Sequence, residues 1–205
     1  LMNTSEKIEK IKPLLREVLA ILGEDPNREG LHKTPERWAE ALLTYTQGSA
    51  QNPQEHLKMI FQLDETDYPA GSDDMIVVDN IEFTSTCEHH MAPIRGVVHI
   101  GYIPNPKSRD ITGLSKLSRV VDVFARRLQV QERMTQQIAG ALDEHIHPLG
   151  VITVTQAIHY CTIQRGVEQQ SSSMLTTARR GVFQTKSNLE TKFQEYLRMR
   201  LERRM

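Results

Sequence analysis

Only two cysteines occur in the 205 residues, and each lies within three positions of a histidine. One group is Cys87-Glu88-His89-His90, preceded by Thr84-Ser85-Thr86; the other, far down the chain, is His159-Tyr160-Cys161. Soft thiolates and imidazole nitrogens brought to one point form a ligand set suited to zinc. Cys87 and His90 stand at the spacing with which a tight turn presents two side chains to one metal, and Cys161 supplies a third ligand if the fold closes on it. Three protein ligands leave one tetrahedral position for water, the pattern of a catalytic rather than a structural site.

Two simpler readings compete with this one. Reduced cysteines commonly serve as small buried hydrophobes, and a pair of cysteines can close a disulfide. The stretch from Met2 to Glu24 is charged and amphipathic, with no apolar run of the kind a signal peptide carries, which weighs against a secreted, oxidised protein. The second histidine-cysteine group, at 159 and 161, tilts the balance toward metal.

The chain is long enough for one compact domain with an appendage. With 25 basic and 26 acidic residues it carries no global field of the kind that marks a nucleic-acid binder. No stretch is long and apolar enough to cross a membrane. Aromatic residues make up 5%, which argues against a base-stacking surface and for an aliphatic core. These features describe a soluble, intracellular α/β or α+β protein without nucleic-acid or membrane partners.

The elements that must position the two groups can be read from periodicity. Ile8, Ile11, Leu14, Leu15, Val18, Leu19 and Leu22 form one apolar stripe on a helix ending at Gly23. Thr34 is placed to cap a second helix with Pro35 in its first turn, Arg37 near its positive end, and Trp38, Leu42 and Leu43 turned inward. The breaks at Pro53, Pro69 and Gly71 separate an N-terminal helical region, 1–72, from a sheet-forming domain, 73–205. Strands follow over Met75–Phe83 and Ile94–Ile103, an antiparallel pair joined through the Cys-Glu-His-His loop. A helix from Gly113 to Phe124 turns Leu114, Leu117, Val120, Val121 and Phe124 to one face. It carries Ser115, Lys116 and Arg119 in its N-terminal turns, where amides, dipole and cations favour an anion such as phosphate. A second helix, Val130 to about His145, has Gln131 and Glu132 in its first turn.

The strand Val151–Tyr160 points Ile152, Val154, Ile158 and Tyr160 to one face. Thr153, Thr155, Ala157, His159 and then Cys161 share the other. A strand over Met174–Phe183 completes a sheet of four in the order strand, strand, helix, helix, strand, strand. Ser187-x-x-Glu190 reads as a capping box opening a last helix, whose basic end, Arg198, Arg200, Arg203 and Arg204, is a solvated face.

Thr84-Ser-Thr-Cys-Glu-His-His90, Gly113-Leu-Ser-Lys-Leu-Ser-Arg119, Gln129-Val-Gln-Glu-Arg133, His159-Tyr-Cys161 and Arg165-Gly-Val167 stand in the order found in GTP cyclohydrolase I, and the chain resembles that family over roughly residues 24 to 186. The resemblance implies an α+β tunnelling fold (T-fold): an antiparallel four-stranded sheet with two helices inserted between strand pairs, plus N-terminal helices and a C-terminal helix. It implies conversion of GTP and water to formate and 7,8-dihydroneopterin triphosphate in the cytoplasm, as the first step of folate or pterin biosynthesis. It also implies an allosteric homodecamer of two face-to-face pentamers, with active sites at subunit interfaces.

Residue by residue, the resemblance makes Cys87, His90 and Cys161 ligands of Zn2+, whose effect on water supplies hydroxide near neutral pH for attack on C8 of the purine. His159 resembles the proton donor to N7, and His89 a second acid/base group. Glu132 fits the guanine edge, where one carboxylate accepts from both N1–H and the 2-amino group. Gln131 resembles a further base or water-orienting contact. Ser115, Lys116, Arg119 and Arg165, with Arg37, resemble the ribose and triphosphate cradle. Glu40 departs from the pattern, since many bacterial members carry Lys there, and so does Ser171-Ser-Ser-Met-Leu-Thr-Thr-Ala-Arg-Arg180 in place of a Thr-rich strand. The rivals are a ring hydrolase stopping at a formylated or ring-opened intermediate, a non-catalytic GTP- or pterin-binding regulatory module, and a structural zinc protein.

Overall fold

A computed structural model describes residues 2–58, 60–69, 72 and 74–202, with side chains through residue 199. The chain divides after Gln47 into two compact units. The first holds two helices, α1 (Thr4–Ile21) and α2 (Thr34–Thr46). Asn3 caps α1 by accepting from the Glu6 N–H while the Glu6 carboxylate accepts from the Asn3 N–H, a reciprocal capping box. The helix gives way at Gly23, whose φ of +88° is the left-handed conformation that a residue without Cβ adopts freely. Leu15 and Leu19 are buried, but Leu14, Val18, Ile21 and Leu22 are exposed, so the apolar stripe is covered only in part. Pro35 sits in the first turn of α2 as expected, but Thr34 does not cap it: Lys33 is already helical, and the Thr34 hydroxyl donates back to the Gly30 carbonyl.

The second unit contains α3 (Gln54–Leu57), β1 (Ile60–Gln62), β2 (Ile76–Cys87), β3 (Pro93–Ile103), β4 (Asp110–Thr112) and α4 (Leu114–Ala125). It continues through β5 (Leu128–Gln129), α5 (Gln131–Ile146), β6 (Gly150–His159), α6 (Tyr160–Ile163), β7 (Met174–Gly181) and α7 (Ser187–Glu202). The four long strands and two intervening helices appear in the expected order. The sheet has five members, β5-β2-β3-β6-β7, because the two-residue β5 adds in parallel beside Thr86 and Cys87. A separate ribbon pairs β1 with β4. Elements of two or three residues carry no periodicity, and sequence patterning passes over them.

Leu117, Val120 and Val121 of α4 and Met134, Ile138 and Leu142 of α5 pack with Phe83, Val98, Ile100 and Tyr102 on one face of the sheet. Leu114, expected on that face, is the first residue of α4 and is exposed. On the opposite face Ile103 and Ile152 meet Phe183, Leu189 and Phe193. The alternation along β6 is as read: Thr153, Thr155 and Ala157 are buried, and Ile152 belongs to the α7 side. Glu190 has a different role from the expected cap. It receives the Arg179 guanidinium, Nε at 2.9 Å, and so ties α7 to β7. Of the basic end, Arg198 is exposed, while Arg203 and Arg204 lie outside the described residues. Among the described residues no helix is long and apolar enough to cross a membrane.

Gly96 in β3 is where the sheet is tightest, since a Cβ there would lie 2.0 Å from the Gln156 carbonyl oxygen and 2.6 Å from the Ala157 Cβ. Gly140, inside α5, has only a flexible arginine end 3.9 Å away. Gly96→Ala should therefore lower unfolding stability by about 2 kcal/mol or more, through overpacking against backbone. Gly140→Ala should raise it by about 0.5–1 kcal/mol, from helix propensity. Denaturant midpoints of the two variants check both signs.

Candidate metal centre and nucleotide site

The turn that follows β2 is built by its own backbone. The Cys87 N–H donates to the Ala92 carbonyl (2.8 Å), the Met91 N–H donates to the Cys87 carbonyl (2.9 Å), and Met91 takes a positive φ of 54°. The chain reverses over four residues, so Cys87 and His90 point to one place, with Sγ and Nδ1 3.9 Å apart. Beside this turn the antiparallel register places Ile94 opposite His159, which brings the end of β6 to the same end of the sheet.

Cys161 arrives by a different route from the one periodicity suggests. The strand stops at His159 and the chain coils into the one-turn α6, so strand alternation is not what aims Cys161 at the site. The turn carries it there nonetheless: the ligand atoms of Cys87, His90 and Cys161 all lie within 4.8 Å of one another. Burial pushes the Cys161 thiol pKa up, the adjacent Cys87 thiol pushes it further, and the Arg165 guanidinium pulls the other way. A divalent cation reverses this penalty on the Cys161 thiol, and two sulfurs with one imidazole match the softness and geometry of zinc.

The surrounding residues sort by position. His159 is half-buried, with its Nε2 2.8 Å from Gln131 Oε1. Burial lowers its pKa and the nearby Glu132 carboxylate opposes this. Glu132, in the first turn of α5, presents an exposed carboxylate at the same end of the sheet. Gln131 is 1% exposed and wholly engaged with protein. His89 is exposed in the turn, edge-on to His90, with Nε2 3.9 Å from Glu88 Oε1. Arg165 is exposed just past Cys161.

Glu88 has a structural role in the turn, and the partners that brace it are distant in sequence. Glu88 takes a hydrogen bond from Arg133, whose Nε donates to Gln129 Oε1. The Glu88 N–H donates to the Gln129 carbonyl (3.0 Å), and Gln129 is itself held by the Phe124 carbonyl and by Gln137. The motif Gln129-Val-Gln-Glu-Arg133 was visible, but the partner of its arginine lies far upstream in sequence.

A sequence model of the GTP cyclohydrolase I family matches residues 11–198. The chain belongs to the GTP cyclohydrolase I family. A GTP cyclohydrolase 1 of Thermobifida fusca is 47% identical over 174 residues, covering 85% of this chain and 80% of that protein. One from Dictyostelium discoideum is 43% identical, covering 94% and 79%, and one from Porphyromonas gingivalis strain W83 is 47% identical, covering 92% and 93%.

For a GTP cyclohydrolase I chain, the position of the residues expected to meet an anion is informative. The Thr112 N–H donates to the Tyr102 hydroxyl, and Tyr102 pairs with Ile76 at the end of β2 remote from Cys87. From there α4 runs back toward β5, which pairs beside Cys87. Ser115 and Lys116, in the first turn of α4, therefore lie toward the end of the sheet remote from the thiols of their own chain, and Arg119 stands one turn further back along the helix. Arg37 is exposed in the first compact unit, as is Glu40.

Replacing Cys161 removes one of the three candidate ligands without cutting any backbone ladder. Cys161→Ala should bind less than about a tenth of the zinc of the parent chain while far-ultraviolet circular dichroism stays unchanged. Metal analysis after gel filtration reads the first and the spectrum reads the second; full zinc occupancy in the variant would remove Cys161 from the ligand set.

Proposed function

We propose that this chain hydrolyses GTP to formate and 7,8-dihydroneopterin triphosphate, with zinc held by Cys87, His90 and Cys161. The observation that carries the reading is the convergence of these three side chains with His159 and Glu132 at one end of one sheet. When bound, the metal supplies Lewis-acid activation of water at neutral pH. The chain's own groups do the rest. The Glu132 carboxylate accepts from guanine N1–H and the 2-amino group, a pairing that adenine cannot offer. His159 donates a proton to N7 as the imidazole ring of the purine opens, and exposed His89 serves as a second acid/base group. Arg165 and the α4 residues Ser115, Lys116 and Arg119 neutralise and orient the triphosphate and ribose, and Arg37 adds a cation.

The remote placement of Ser115 and Lys116 supports a reading in which the α4 residues reach a nucleotide at the metal from a neighbouring copy. The edges of the sheet support such an assembly. Among the described residues, β2 is paired on its outer side only at Thr86 and Cys87, and β7 is paired only with β6. Each copy thus offers two long unpaired edges, and edge-to-edge pairing closes a ring without leaving an exposed strand. Our reading is a ring of five, doubled face to face into a decamer. Free, reduced Cys87 and Cys161 suit the cytoplasm.

Incubation of zinc-replete protein with GTP should yield formate and the pterin in equal amounts. Formate without pterin would indicate a truncated hydrolase, and a formylated, ring-opened nucleotide without formate an earlier stop. Bound GTP with neither product would indicate a binding module. The interface reading makes a second prediction. Cys161→Ala and Arg119→Ala, each expected to lose at least about 100-fold in kcat, should regain measurable turnover when their subunits are dissociated, mixed and reassembled with zinc, because some sites then draw both intact residues from different copies. No recovery in hybrids shown to be mixed would place both residues in one chain's site.

A further inference from the structure

Gln131 opens α5, a position at which a glutamine is ordinarily solvated, yet it is 1% exposed. Its Nε2 lies 2.9 Å from the Thr155 carbonyl, 3.0 Å from the Met174 carbonyl and 3.1 Å from the Thr176 hydroxyl. Two of these partners are carbonyl oxygens, which can only accept, so the atom facing them is the amide nitrogen, and its two hydrogens are fully engaged. Turning the amide over would set its oxygen against both carbonyls and leave their lone pairs unmet in a buried site. The orientation of the amide is therefore decided by β6 and β7.

Its remaining atom, Oε1, faces His159 Nε2 at 2.8 Å. An amide oxygen has no hydrogen to give, so Nε2 must donate. The neutral imidazole is then the Nε2–H tautomer, with its lone pair on Nδ1. The hydrogen-bonded hydroxyls of Thr135, Thr155 and Thr176 lie around the same point and hold the strands that hold Gln131.

We propose that Gln131 is a positioning residue that acts through His159: it fixes the ring's plane and tautomer, so that the proton His159 exchanges during turnover moves at Nδ1. Gln131 does not contact the nucleotide. This rests on the reading that His159 handles a proton of the reaction.

The test is a double-mutant cycle with zinc content as the control for an intact site. Gln131→Met keeps the volume and removes both the acceptor and the donors. It should lower kcat by about 10- to 100-fold, the usual cost of losing a partner that orients a functional histidine, with KM for GTP within about twofold. Gln131→Glu should restore most of kcat. A buried carboxyl facing two carbonyls holds its proton and donates it, while its other oxygen still accepts from His159. The combined variant, Gln131→Met with His159→Ala, should be no slower than His159→Ala alone, because residues acting as a unit are not additive. A raised KM, or a double variant slower than either single one, would overturn the proposal and make Gln131 a contact in its own right. An unimpaired His159→Ala would overturn the proposal together with the reading on which it rests. If the methionine variant does not fold, ring-nitrogen shifts of 15N-histidine-labelled parent protein decide the point, with His159 assigned by its absence in His159→Ala. The Nε2–H tautomer supports the proposal and Nδ1–H refutes it.

Discussion

The register of three antiparallel strands is the constraint on which the site depends. Thr86 opposite Pro93 fixes where the Cys87 turn begins, and Ile94 opposite His159 fixes where the third strand delivers its end. Because side chains alternate along a strand, a slip of one residue between β3 and β6 would turn His159 to the α7 face and carry Cys161 away from Cys87. The buried faces forbid that slip. Thr153, Thr155 and Ala157 are closed under α5, and Ile152 is locked against Phe193 on the other side. Chemistry at the sheet end is thus specified by packing in the sheet middle.

Polar groups then refine what the apolar core makes approximate. The turn that bears Cys87 and His90 is braced through Glu88, Arg133 and Gln129 onto α5, and His159 is braced through Gln131 onto β6 and β7. The two braces begin from residues four apart or fewer at the start of one helix, so α5 acts as a common reference for both halves of the site. Buried networks of this kind are costly when half satisfied, and here the amide of Gln131 is satisfied at every atom.

How much of this was legible in the sequence follows from the range of each interaction. The alternation Thr153, Thr155, Ala157, His159 and the helical stripe Leu117, Val120, Val121, Phe124 record burial on one face, so strands and helices could be placed within a few residues. The metal set was visible because Cys and His are scarce and clustered. Local signals failed where a distant partner outbid them: Glu190 looks like half of a capping box but pairs with Arg179, and Thr34 looks like a cap but donates backward to Gly30. Strand alternation does not reach Cys161, because the chain coils into a helical turn at Tyr160. The burial of Gln131 had no signal at all, because it is set by two strand carbonyls whose positions no local pattern encodes.

In the function proposed for this chain, two sulfurs and one imidazole from a single copy hold a zinc ion with one position open to water. Zinc K-edge X-ray absorption on the metal-loaded protein tests it most directly. The expected result is about one zinc per chain with two sulfur neighbours at ~2.3 Å and two nitrogen or oxygen neighbours at ~2.0–2.1 Å, one of them an imidazole. A shell with no sulfur or only one, or one closed by four protein ligands, would contradict it.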